Sequence, residues 1–113
     1  MARQKQLPKH QSGRDMSPAL IYALNHSLRR QVLRLLAEHG AERTPGALAV
    51  SASASLSDVS HHVRVLADLD VIRQTRTQMT RGARKHFYAS KVSDNKLVSA
   101  ILASTEEDDR PGK

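Results

Sequence analysis

Two rhythms of hydrophobic and polar positions run along this chain, and the first is helical. Leu20, Ile21 and Leu24 form one apolar face of a short helix, opened by Ser17-Pro18 as an N-cap followed by proline in the first turn. A second helix begins at His26 or Ser27. Its residues Leu28, Val32, Leu35 and Leu36 fall at i, i+4, i+7 and i+8, the spacing of a buried stripe, and Arg29, Arg30 and Arg34 lie on its other faces. His39-Gly40 ends it, with Gly40 free to turn left-handed. Thr44-Pro45 opens a third helix that turns Leu48 and Ala49 inward and ends near Ala52. Ser55 opens a fourth, with Asp58 reaching back as in a capping box. Val59, His62, Val63, Leu66 and Leu69 repeat along the inward face of this fourth helix, and Asp70 closes it.

The rhythm then shortens to that of strands. Residues 71–76, with Val71, Ile72 and Thr75, and residues 85–90, with Phe87 and Tyr88, read as two strands. The polar stretch 77–84 between them reads as a long hairpin tip turning at Gly82. A last helix is predicted from Ser93, stapled by Val92 and Leu97, with Leu97, Val98, Ile101 and Leu102 on its apolar face.

Composition narrows the class. The chain has 113 residues, enough for one domain. Only 3% are aromatic, so an aliphatic, mostly α core with a small β-hairpin is expected. Residues 17–104 form the predicted domain. Residues 1–16, with Arg3, Lys5, Lys9 and Arg14, read as a flexible basic arm, and residues 105–113 as a disordered acidic tail. No apolar run nears the ~20 residues of a membrane span, and no signal-peptide stretch opens the chain, so a cytoplasmic protein without membrane partners is expected. Cysteine is absent, which excludes disulfides and thiolate chemistry. No Gly-rich phosphate loop and no acid pair on an apolar-walled segment is present, so neither an enzyme nor a cofactor is expected. Eighteen Lys and Arg against eleven Asp and Glu give a net charge of +7, which points to a polyanion, nucleic acid first.

Two adjacent helices joined by a tight turn form a helix-turn-helix when the second can enter the major groove. The fourth helix suits that task. With Val59, Val63 and Leu66 inward, Ser57, Asp58, Ser60, His61 and Arg64 face outward as candidate DNA contacts. Arg76, Arg81, Arg84 and Lys85 make the hairpin a candidate second contact, with Arg81 beside Gly82 at its tip.

These residues resemble a family. Ala23-Leu24, Leu28 through Leu36, Leu48-Ala49 and Ser57-Asp58-Val59-Ser60-His61-His62-Val63-Arg64-Val65-Leu66 are similar to the winged helix-turn-helix repressors of the ArsR/SmtB type, and the hairpin resembles their wing. The resemblance covers residues 19–90 and implies a homodimer that binds a palindromic operator in double-stranded DNA and represses transcription. It further implies that the first and last helices pack across the two-fold axis. The matching apolar residues are Leu20, Ile21, Leu24, Leu97, Val98, Ile101 and Leu102, which otherwise cover the protomer's own core.

The departures from the family are informative. Its cysteine metal site is missing, and the last helix offers Asp94 but no histidine, so no metal ligands are assigned. Asp70 and Ser53 stand where glycines are usual, and Leu56 sits at the start of the fourth helix. The sequence names no effector. His61 and His62 point about 100° apart and cannot chelate one ion together; His61 faces DNA and His62 is an inward, hydrogen-bonded residue. Arg29, Arg30 and Arg34 either contact phosphate or dress an exposed helix face. The alternative function is a winged-helix adaptor that binds protein through the same helix without reading DNA.

Overall fold

The computed structural model describes residues 16–38 and 40–110. The basic arm up to residue 15, His39 and the tail from residue 111 lie outside the described residues. The elements in chain order are α1 (Pro18–Ala23), α2 (Ser27–Leu36), α3 (Pro45–Ala52), α4 (Leu56–Asp68), β1 (Ile72–Thr80), β2 (Ala83–Ser90), α5 (Lys96–Ser104) and α6 (Glu106–Asp109).

Side-chain caps set the helix starts. Ser17 Oγ accepts from the Leu20 N–H at 3.2 Å, Thr44 Oγ1 from Ala47 at 3.1 Å and Ser55 Oγ from Asp58 at 3.0 Å. The capping box at Ser55 is only half made. Among the described residues Asp58 returns no bond to the Ser55 N–H, as fits a side chain one methylene shorter than Glu. At α2 the cap is a histidine: His26 Nδ1 accepts from the Leu28 N–H at 3.1 Å. The last helix starts later than Ser93. Asn95 Oδ1 accepts from Leu97 and Val98, both at 3.0 Å, so residues 93–94 stay in a turn and the expected Val92–Leu97 staple gives way to an exposed Leu97.

Three polar residues take left-handed backbone at helix and strand junctions: Ser53 (φ 54°) after α3, Asp70 (φ 64°) after α4 and Arg81 (φ 53°) in the hairpin. The hairpin is longer and its tip tighter than expected. β1 and β2 pair antiparallel from Ile72↔Ser90 to Thr80↔Ala83, leaving only Arg81 and Gly82 (φ 80°) to turn the chain. Two successive positive φ values make the type I′ turn whose twist suits paired strands, and pairing therefore runs out to the turn. A register shift between Gln74 and Arg76 bends β1 near its base. Arg43 pairs with Tyr88 as an isolated antiparallel bridge through backbone bonds of 3.0 and 2.9 Å, which fixes the hairpin to the α2–α3 connection.

One core joins these elements. Leu33, Leu48, Leu66, Ile72, Val32, Val59 and Val98 are its largest fully buried apolar side chains, each contributing about 1.5–3 kcal/mol by leaving water. The buried stripe of α2 is Arg29, Val32, Leu33 and Leu36. Leu28 and Leu35 flank it, so an arginine occupies the first core position of this helix. Leu20, Leu24, Val98 and Leu102, expected at a dimer interface, belong to this same core. Ile101 is partly buried against it, while Ile21 and Leu97 stay exposed.

The acidic tail also departs from expectation. Residues 106–109 form α6, and Asp109 is buried against α2.

Candidate nucleic-acid interface

The buried face of α4 consists of Val59, His62, Val63 and Leu66. With that side anchored, the helical period leaves Ser57, Asp58, His61 and Arg64 exposed and Ser60 half-buried. α3 leads into α4 through Ser53, whose left-handed backbone makes the turn, and the Ala54 N–H closes it on Ala49 O at 3.0 Å. Val50 and Leu56 are exposed on either side of this turn.

The hairpin separates its cations into two kinds. Arg81, Arg84 and Lys85 surround the turn, exposed and without carboxylate partners among the described residues. Arg76 differs. Its Nε donates to Glu42 at 2.9 Å and its guanidinium lies 3.8 Å from the centre of the Phe87 ring, so it braces the hairpin base. Arg73, not singled out in the sequence, is another exposed cation without a carboxylate partner, at the foot of β1. Its only sequence signal was charge on a strand. His86 stands across from Thr77, with its Nδ1 3.1 Å from Thr77 Oγ1, which also accepts from Gln74 at 3.1 Å.

The α2 arginines do neither of the things the sequence left open. Arg29 is buried; its Nε donates to Ala23 O at 3.1 Å and its Nη2 to Tyr22 O at 2.8 Å, closing the exposed end of α1. Its guanidinium stacks 4.7 Å from the Tyr22 ring. Arg30 clasps the Asp109 carboxylate with two bonds, Nε–Oδ2 at 2.7 Å and Nη2–Oδ1 at 2.8 Å, and Arg34 adds a third at 2.8 Å. Backbone carbonyls hold both arginines in place: Leu24 O accepts from Arg30 at 2.8 Å and Leu102 O from Arg34 at 3.0 Å. The hydrogen bond from Arg30, supported by that from Arg34, outweighs burial and lowers the Asp109 pKa to about 2. The same carboxylate raises the Arg30 pKa.

His62 sits beneath the exposed face of α4. Its Nδ1 is 3.4 Å from Arg29 Nη1, and its ring centre lies 4.3 Å from that of His26 and 5.0 Å from that of His61. Burial lowers its pKa, and His26, Arg29 and His61 lower it further against the opposing pull of Asp58. Among the described residues no three His, Asp or Glu side chains gather as a metal ion would require, and no helix is long and apolar enough to cross a membrane.

No family model matches this chain. No curated protein matches it in sequence either. Among solved structures it is similar to the crystal structure of NolR from Sinorhizobium fredii, with a TM-score of 0.58 and 21% identity over 96% of this chain and 93% of that one. The fold is a winged helix. In the terms of that fold α3 and α4 are the helix-turn-helix and the β1–β2 hairpin is the wing, placed beside each other on one scaffold with the free cations Arg64, Arg81, Arg84 and Lys85 at the exposed edge of each.

Proposed function

We propose that this chain is a transcriptional regulator of the ArsR/SmtB type that binds double-stranded DNA sequence-specifically, as a cytoplasmic homodimer and a repressor. The observation that carries this reading is the partition of positive charge. The arginines of α2 are consumed by carbonyls and by Asp109, whereas Arg64 of the helix-turn-helix and Arg81, Arg84 and Lys85 of the wing keep free guanidinium and ammonium groups. Charge left without a carboxylate partner on two adjacent exposed elements is what a phosphate backbone selects. The likeness to NolR supports the winged-helix fold that this reading requires.

In this reading α4 lies in the major groove. Ser57, Ser60 and His61 are short enough to let the helix approach base edges, and Arg64 reaches guanine N7 and O6 or a phosphate one turn further on. The wing follows the backbone and places Arg81 toward the minor groove. Ile21 and Leu97, the exposed members of the α1 and α5 faces, together with Tyr22, supply the surface for a second copy. Two-fold symmetry then asks for a palindromic site, and occupancy of that site blocks transcription.

The exposed Val50 and Leu56 beside the turn favour the rival reading, a protein-binding adaptor. Selection of bound duplexes from a random pool tests the choice. Enrichment of a two-fold motif, with binding that weakens steeply as salt rises, is expected; uniform recovery of all sequences, or no recovery at low salt, overturns DNA reading.

A further inference from the structure

We propose that His26, Arg29 and His62 form a proton-responsive joint between α4 and the α1–α2 corner, and that protonation of its imidazoles releases α4 from the position in which it binds DNA. The functional half of this proposal rests on the DNA-binding reading above; the structural half does not.

The joint follows from donor and acceptor counting. Arg29 has only donors. Two of its nitrogens are committed to Ala23 O and Tyr22 O, and its Nη1 faces His62 Nδ1 at 3.4 Å. That nitrogen must therefore accept, which places the ring proton of a neutral His62 on Nε2. His26 is bound by the same rule, since its Nδ1 accepts the Leu28 N–H that starts α2. Each ring keeps its bond only while neutral.

The surroundings amplify the effect of a proton. His62 faces Arg29 and His26 from α2 and its cap, and His61 and Asp58 from its own helix; Tyr22 of α1 reaches the group only through Arg29. Among the described residues Asp58 is thus the only acid acting on His62, against two imidazoles and a guanidinium. A proton on His62 breaks the Arg29 contact and sets two buried cations against each other; one on the exposed His26 removes the acceptor that caps α2. Arg29 in turn holds the last carbonyls of α1, so the disturbance spans α1, α2 and α4. The lowered pKa of His62 gives the sign. Relative to the unfolded chain the joint is at full strength above the ordinary imidazole pKa of about 6.5 and is lost as pH falls below it.

Duplex binding carries its own pH dependence through the proposed DNA face, so the test compares the wild-type protein with variants that share every residue of that face. His26→Asn keeps an N-cap acceptor and cannot titrate; His62→Asn keeps an acceptor near the Nδ1 position. The first readout needs no DNA: imidazole nitrogen NMR of His62, with amide exchange of α4 corrected for intrinsic rates, between pH 8 and 5. Expected are an Nε2–H tautomer at pH 8, a His62 pKa below 6.5, and α4 protection in the wild type that falls in acid by up to about tenfold at pH 5.5, the limit for one such proton. The second readout is the ratio of variant to wild-type affinity for a selected duplex, which should rise several-fold over the same range with His26→Asn, whether or not His62→Asn folds. A His62 that titrates at or above 6.5, or α4 protection independent of pH, overturns the joint. An unchanging affinity ratio with α4 loosening intact overturns the link to DNA. A protein that binds no duplex at pH 8 overturns the DNA reading and with it that link, while the NMR titration still decides the joint.

Discussion

The arginines of α2 and the cations of α4 and the wing are alike in charge and opposite in use. On α2, Arg30 and Arg34 converge on one carboxylate whose side chain is 2% exposed, and Arg29 is buried between α1 and α4. On α4 and the wing, Arg64, Arg81, Arg84 and Lys85 extend into solvent with no carboxylate partner among the described residues. The first set holds the body together and directs most of its donors to groups inside the fold; the second adds little to stability and is free to bind. Net charge alone does not distinguish them. Pairing does: it turns the donors of the first set inward and leaves those of the second set open to a ligand.

The sharpest way to break this contrast is at Asp109. Replacing it with alanine leaves two partly buried guanidinium groups facing each other, and a loss of about 3 kcal/mol in unfolding free energy is expected by urea denaturation, with duplex affinity of the folded fraction unchanged. The same carboxylate predicts an acid response. Its folded pKa of about 2 lies below the ordinary 3.8, so its contribution is complete above pH 4 and disappears as pH falls from about 4 to 2, amounting to about 2 kcal/mol by acid titration of stability. A flat profile there would detach α6 from the fold.

The opposite response is expected at Arg64. Arg64→Ala should leave the urea midpoint unchanged and reduce discrimination between selected and unrelated duplexes by about 1–3 kcal/mol; equal weakening on every duplex would make it a phosphate contact. Arg81→Ala should weaken all duplexes alike and lower the slope of log affinity against log salt by about 0.9. The smallest effect is expected at Arg76, a wing cation that is paired. Arg76→Ala should cost at most about 1 kcal/mol of stability, since its bridge to Glu42 is half-exposed, and should leave the salt slope unchanged. A slope that drops as much as with Arg81→Ala would erase the distinction between paired and unpaired wing residues.

What was legible in the sequence had local causes. The inward face of α4 follows from Val59, Val63 and Leu66 at helical spacing, and the turn before it from Ser55 and the left-handed tolerance of a small polar residue at Ser53. Arg81-Gly82 carried the signal for a tight turn, but the polar residues around it read as loop because strand pairing beyond the core has no hydrophobic alternation to betray it. Ser93 and Asn95 are both good caps by residue type, and only the burial of Val98 decides for Asn95. The α2 arginines were the hardest. Arg29 occupies an apolar position that an arginine fills only if backbone carbonyls meet it, and the partner of Arg30 lies 79 residues away within a run of acids that locally looks like a solvated tail. For the same reason Leu20, Leu24, Val98 and Leu102 could not be assigned between core and dimer from periodicity, which marks a buried face without saying what buries it.

The most direct measurement is a chemical-shift map of the uniformly labelled protein titrated with a selected duplex at a fixed pH. The expected result is a contiguous footprint over Ser57, Ser60, His61, Arg64 and the Arg81–Lys85 end of the wing, with the guanidinium signals of Arg30 and Arg34 unmoved. A footprint on α2 and α6 with α4 and the wing unmoved would contradict it.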